Sequence, residues 1–246
     1  MADDLLGARG RDPIGKNWTD NFINRYKEVK KKYGILNEDT YNFDETGFMM
    51  GVIHPFMVVT SSNRRAGKTQ YVQPGNKEWI TMIQAINASG WPVLLYIIFA
   101  GKVHITTWYK ECEMPPNWKV NLSHNGWTNN EIRVAWLKHF DNVTRSRTQG
   151  VYRLLIIDGH ESHQSITFQN LCKEYKIITL YMPSHSSHLL QPLDVGCFGP
   201  LKKAYSYEVM ELSRYSNFHV TKEDFLPAFK IAFYKVFIES NIQGAF

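Results

Sequence analysis

Cysteine is scarce in these 246 residues. Cys112, Cys172 and Cys197 are odd in number and include no C-x-x-C pair, which excludes a disulfide framework and a zinc ribbon and points to reduced thiols inside a cell. Long apolar runs are missing as well. The most apolar stretch, residues 93–100, falls far short of the roughly 20 residues that a membrane-spanning helix needs. Acidic Asp3 and Asp4 stand where a signal peptide would carry positive charge. The expectation is a soluble intracellular chain with no membrane partner. Charge of one sign is in only mild excess: 28 Lys+Arg against 23 Asp+Glu gives +5 and a pI near 9.0. That balance suits a polyanionic partner without requiring one. What is present in quantity is apolar side chain, at 43% of residues, enough for one substantial core.

The chain is organised around LLIIDGHESH, residues 154–163. An apolar run that ends in Asp-Gly reads as a buried strand delivering Asp158 to the carboxyl edge of a sheet. A carboxylate there is costly to desolvate without a counter-ion. Two more acids sit in comparable settings. Asp44 lies in a short aromatic run ending at Gly47, and Asp194 follows a loop marked by Pro192. Taken one at a time, both are equally readable as turn or cap aspartates. Brought together, three carboxylates can hold paired Mg²⁺ ions that activate water and stabilise a leaving phosphate oxygen. Glu45 falls on the other face of any strand carrying Asp44, and so is a poor ligand.

Other motifs carry less. The segment from Ser62 to Thr69 ends in GKT but has Ser62 where a phosphate loop needs glycine, and Gln73-Pro74-Gly75 follows where a helix should start. No nucleotide cofactor is expected. Arg64, Arg65 and Lys68 then read as a basic loop, either on a DNA backbone or in solvent. His160 with His163, and His185 with His188, form two H-x-x-H pairs. That spacing makes a zinc site only on one helix face, and neither segment has a helical pattern. His160, His163 and His188 are read instead as groups near the site or near DNA. Arg145, Arg147 and Arg153 form a basic cluster at a loop and strand entry.

Apolar spacing predicts helices over residues 18–33, 128–140, 162–175 and 221–240, with another opening at Gly199-Pro200. The second carries a Thr128/Glu131 capping pattern. Strands are predicted at 57–60, 79–87, 93–99, 154–157 and 177–182, with a hairpin turn at Gly90-Trp91-Pro92. Residues 1–17 lack periodicity and read as disordered. A meander followed by strand–helix alternation is an α/β, ribonuclease H-like order: a mixed sheet with flanking helices.

Five segments extend the argument: NFDETGF (42–48), VQPGNKEWIT (72–81), INASGWPVLLYIIFAGKVH (86–104), LLIIDGHESH (154–163) and MPSHSSHLLQPLDVGCFGPLKKAY (182–205). In content and order they resemble the DDE-superfamily transposases of the pogo and Tigger branch, relatives of mariner elements and of centromere protein B, and most of all the fungal members. Asp158 and Asp194 are 36 positions apart (194 − 158), a spacing typical of that branch. The resemblance implies that Asp44, Asp158 and Asp194 are catalytic and bind two Mg²⁺ or Mn²⁺ ions. It implies DNA as the partner, homodimerisation on transposon ends, a nuclear location, and a cut-and-paste reaction. The alternative it leaves is a host-adopted, non-catalytic nuclear DNA-binding protein. In relatives a GKNW segment like residues 15–18 closes a helix-turn-helix region. Residues 1–34 are accordingly expected to be a lead-in plus a remnant of that region, in a truncated chain, and 35–246 the catalytic domain.

Overall fold

The computed structural model describes residues 18–50, 78–103, 114–115, 118–158, 165–183, 186–213 and 220–246. The elements are α1 (Trp18–Tyr33), β1 (Thr40–Met49), β2 (Trp79–Asn87), β3 (Tyr96–Ala100), β4 (Lys119–Ser123), α2 (Asn130–Thr144), β5 (Arg153–Ile157), α3 (Ile166–Glu174), β6 (Ile177–Tyr181), α4 (Ser187–Leu190), a π-helical turn (Leu193–Phe198), α5 (Gly199–Ser213), α6 (Lys222–Val236) and α7 (Glu239–Ala245). The predicted strand at 57–60 lies outside the described residues.

Six strands form one sheet in the order β4-β3-β2-β1-β5-β6. β1 pairs antiparallel with β2 along its length, from Tyr41 opposite Asn87 to Met49 opposite Trp79. β2 and β3 make the predicted hairpin, turning through Gly90 at φ +98°, a conformation that suits glycine. β5 lies parallel to both β1 and β6, and β4 parallel to β3. The sheet is therefore mixed, as expected, with its parallel half built by a crossover through α3.

Alternation along the strands divides the core in two. Tyr41, Phe43, Ile83, Ile98, Leu155 and Ile157 face Trp136, Phe140 and Phe168 of α2 and α3. Phe48, Met82, Ile86, Ile97 and Phe99 face Phe198, Tyr205, Phe225 and Phe229 of the C-terminal helices. β5 is buried along its whole length. Its other face, Leu154 and Ile156, is covered by Phe22, Tyr26 and Val29 of α1, which is why it reads as an unbroken apolar run.

Local signals moved by a residue or two at the helix ends. α2 is capped by Asn129, whose extended backbone lets its side chain accept from the Ile132 amide at 2.8 Å; Thr128 stands one residue outside. The single helix expected over 221–240 is two. Thr221 and Asp224 form a capping box, but the helix ends at Val236. There Phe237 stacks on Phe233, ring centroids 4.4 Å apart, and the Asn241 amide donates to the Val236 carbonyl at 2.9 Å. Within the arginine cluster, Arg153 is structural. Arg153 is only 4% exposed and donates to Asp141, Thr144 and the Tyr175 carbonyl. Arg145 pairs with the same Asp141, and the Arg147 guanidinium lies 4.0 Å from the Trp91 ring centroid.

Candidate active site

Asp44 lies midway along β1, on the strand face that also carries Asn42 and Phe48. Asn42 is opposite Ile156 in the parallel β1–β5 register. Carrying that register forward two residues sets Asp44 beside Asp158, the first residue past β5. Asp194 arrives from the other direction, in the first turn of the π-helical segment that runs into α5. The sequence placed Asp194 on the approach to a helix; that approach is itself helical. Pro192 stands at its N-cap, where a missing amide proton costs nothing.

The three acids feel one another. Burial, then Asp194, then Asp158 push the Asp44 carboxyl well above the ordinary carboxylate range, against hydrogen bonds from the Glu45 amide and the Gln191 side chain. The Glu45 amide donates to Asp44 Oδ1 at 2.8 Å. Asp194 is also raised, by burial and by Asp158, with Lys202 of α5 opposing. Burial is the largest cause of both shifts, and the neighbouring acids add to it. Among the described residues, however, no three His, Cys, Asp or Glu side chains already stand as a closed metal-ligating group. Asp44 and Asp158 are neighbours by the β1–β5 register and Asp194 is within electrostatic reach of Asp44, but the three are not drawn in around a centre.

Glu45 is on the opposite face, as alternation requires, and its carboxylate accepts from Arg133 of α2 at 3.2 Å. His188 is exposed on α4. Arg64, Arg65, Lys68, His160, His163 and His185 lie outside the described residues, as does the GKT segment. Three residues near the acids escaped the sequence reading: Asn42, Gln191 and Lys202. Asn42 sits two positions before Asp44, on the same strand face, and Gln191 three before Asp194. Only those short offsets from an acid could have drawn attention to them.

The family model for DDE superfamily endonucleases matches residues 76–246. The chain belongs to the DDE superfamily of endonucleases. Among curated proteins, this DDE chain is 53% identical over 246 residues to the MFS-type transporter clz9 of Cochliobolus lunatus, covering all of the chain and 26% of that protein. It is 27% identical over 209 residues to the Tigger transposable element-derived protein 7 of Homo sapiens, covering 78% of the chain and 36% of that protein. The DDE chain thus spans about a quarter to a third of these relatives. Despite the first relative's name, no helix among the described residues is long and apolar enough to cross a membrane. Among solved structures, the Mos1 transposase paired-end complex with left transposon end matches with a TM-score of 0.53 at 14% identity, over 94% of this chain and 64% of that one. The DDE chain has a ribonuclease H-like fold shared with the Mos1 transposase, and the pogo, Tigger and mariner resemblance stands.

Proposed function

We propose that this chain is the catalytic domain of a cut-and-paste DNA transposase, in which Asp44, Asp158 and Asp194 hold a pair of Mg²⁺ or Mn²⁺ ions. The observation that carries this reading is the parallel β1–β5 register that sets Asp44 beside Asp158, with Asp194 near enough for its charge to add to the raising of the Asp44 carboxyl. The donor set fits: hard oxygen ligands suit Mg²⁺ and Mn²⁺, and a cation offsets both the burial of charge and the repulsion that raise Asp44 and Asp194. Mos1 paired-end complexes of comparable fold have been solved with Mn, at a TM-score of 0.51, and with Mg, also at 0.51. The first Mos1 match is a complex with a transposon end, which supports DNA as the partner here. A nuclear location goes with that partner.

Bound divalent ions supply the positive charge that makes water a nucleophile near neutral pH and stabilises a departing phosphate oxygen. The protein's part is to present three ionised carboxylates to the ions, with Lys202 offsetting the charge of Asp194. Water would hydrolyse a phosphodiester at the element end, leaving a 3′-hydroxyl. That hydroxyl would then displace a phosphodiester of target DNA in line. Homodimerisation on two transposon ends belongs to the same proposal.

The test is a Mg²⁺- or Mn²⁺-dependent nicking assay on supercoiled DNA, comparing wild type with Asp158→Asn. The reading expects cleavage by wild type and loss of it in the variant. Equal activity in both would remove the assignment. DNA binding without cleavage by either protein would favour the host-adopted, non-catalytic alternative.

A further inference from the structure

Asn42 and Gln191 are fully buried and sit 149 positions apart in the chain, yet their side-chain amides bond directly, Asn42 Nδ2 donating to Gln191 Oε1 at 3.1 Å. Every hydrogen-bonding group of the pair facing the site is committed. The second Asn42 N–H goes to the Ile156 carbonyl at 3.1 Å, two residues before Asp158. Asn42 Oδ1 accepts from the Leu193 amide at 3.1 Å, one residue before Asp194. Gln191 Nε2 donates to the Phe43 carbonyl at 2.9 Å, one residue before Asp44, and the Gln191 side chain lies near enough to the Asp44 carboxyl to favour its ionised form. A side-chain amide has two N–H donors and one carbonyl oxygen. Turning either amide over would set donor against donor, so these partners fix both orientations.

The pair therefore touches the segments that carry all three acids. β1 holds Asn42 and Asp44, β5 ends in Asp158, and the turn that begins after Gln191 holds Asp194. We propose that Asn42 and Gln191 are positioning residues: their amide pair clasps the Asp194 turn to β1 and β5 and aims the Asp44 carboxylate, so that the three acids can meet a cation together. This rests on the metal-dependent reading above. It goes beyond that reading by assigning the geometry of the site to two neutral residues that need not touch metal or DNA. A buried amide pair spanning three segments is costly to leave half-made, since each abandoned donor or acceptor keeps its desolvation penalty. Its natural effect is to limit how far the acids can splay apart.

The test uses the whole 246-residue chain with Mn²⁺ as the probe. Melting temperature is followed against Mn²⁺ concentration for wild type and Gln191→Met, which keeps side-chain length and removes both donors and the acceptor. The Mn²⁺ midpoint in Gln191→Met should move roughly 10–100-fold higher, the range seen when partners of metal ligands are lost. Cleavage should show the same displacement, with excess Mn²⁺ restoring kcat. A purely structural role would lower the plateau of active protein and leave the Mn²⁺ midpoint where it was. A midpoint within twofold of wild type overturns the proposal. If Gln191→Met does not fold by circular dichroism, Asn42→Ser takes its place, because one hydroxyl cannot donate to both Ile156 and Gln191; the same displacement is expected and the same null result is fatal. A wild type that ignores Mn²⁺ altogether brings down the metal reading and the clasp with it. A responsive wild type with an unmoved variant brings down the clasp alone.

Discussion

Asp44 and Glu45 are neighbours in the chain but serve opposite faces of the sheet: Asp44 meets Gln191 and the field of Asp194 and Asp158, while Glu45 is spent on Arg133 of α2. The two carboxylates should respond very differently to neutralisation. Glu45→Gln is expected to keep metal-dependent cleavage near the wild-type rate and to cost up to about 1.5–3 kcal/mol of stability, the worth of a charged hydrogen bond. Asp44→Asn should lose more activity than the roughly 10–100-fold that follows from losing a mere partner of a ligand. Parallel nicking assays and denaturant melts decide it; equal losses in the two variants would contradict the placement of Glu45.

Without metal, Asp44 is a liability to the fold. Its folded pKa is raised above the unfolded value, chiefly by burial and then by Asp194, so the proton is held more tightly in the folded state. The resulting stability is complete below the ordinary carboxylate range and is lost as pH rises through the raised folded value. Chelator-treated protein should therefore melt at lower temperature as pH climbs out of the acidic range toward neutrality. Asp44→Asn should flatten that slope and raise the metal-free melting temperature near neutral pH by at least about 2 °C, the effect of roughly 1 kcal/mol in a domain of this size. Asp194, raised in the same direction, keeps part of the slope in the variant.

Adding the cation should reverse that penalty. Mn²⁺ at about 100 times its dissociation constant stabilises by about 2.7 kcal/mol, or about 5–10 °C here. Asp44→Asn and Asp158→Asn should each lose most of the gain. Differential scanning fluorimetry across a Mn²⁺ series measures it, and a gain that survives in both variants would place the ion elsewhere.

Arg153 is a brace within the fold and not a DNA contact. It is 4% exposed and donates to Asp141 at 2.5 Å. Among the described residues, Arg153→Met leaves the buried Asp141 carboxylate with Arg145, itself largely exposed, as its ionic partner, and should cost about 3–5 kcal/mol. The number of phosphates neutralised on DNA should not change, so the slope of log affinity against log salt for folded protein should match wild type. A slope reduced by about one unit would make Arg153 a phosphate contact instead.

Gly47 marks a close approach. A Cβ there would fall 1.9 Å from Trp79 Cζ2, and Trp79 is stacked on Trp127 with ring centroids 4.7 Å apart. Gly47→Ala must push that indole pair aside. The expected loss is about 1–3 kcal/mol, typical of overpacking, with a change in tryptophan emission as exposed Trp127 loses its partner. Wild-type stability in the variant would mean that the ring can relax freely.

What the sequence determined by itself was local. The apolar run 154–157 ending in Asp-Gly announced a buried strand and its acid. The hairpin of β2 and β3 followed from two β-rich runs around Gly90, and α2 from its aromatic spacing. Alternation alone sent Glu45 away from Asp44. Each of these rests on propensity or periodicity within about ten residues, which the chain carries whatever surrounds it. Tertiary structure alone decided that Asp44 lies beside Asp158 with Asp194 within electrostatic reach, that Arg153 turns inward to Asp141, and that the C-terminal helix breaks where Phe237 packs on Phe233. It also made the Asn42–Gln191 bond, between residues 149 positions apart. An amide in a sequence shows no preference for one distant partner over another. Only when the two cores close on either side of the sheet and exclude water must such groups find each other, because a buried donor left unpaired costs more than the bond itself returns.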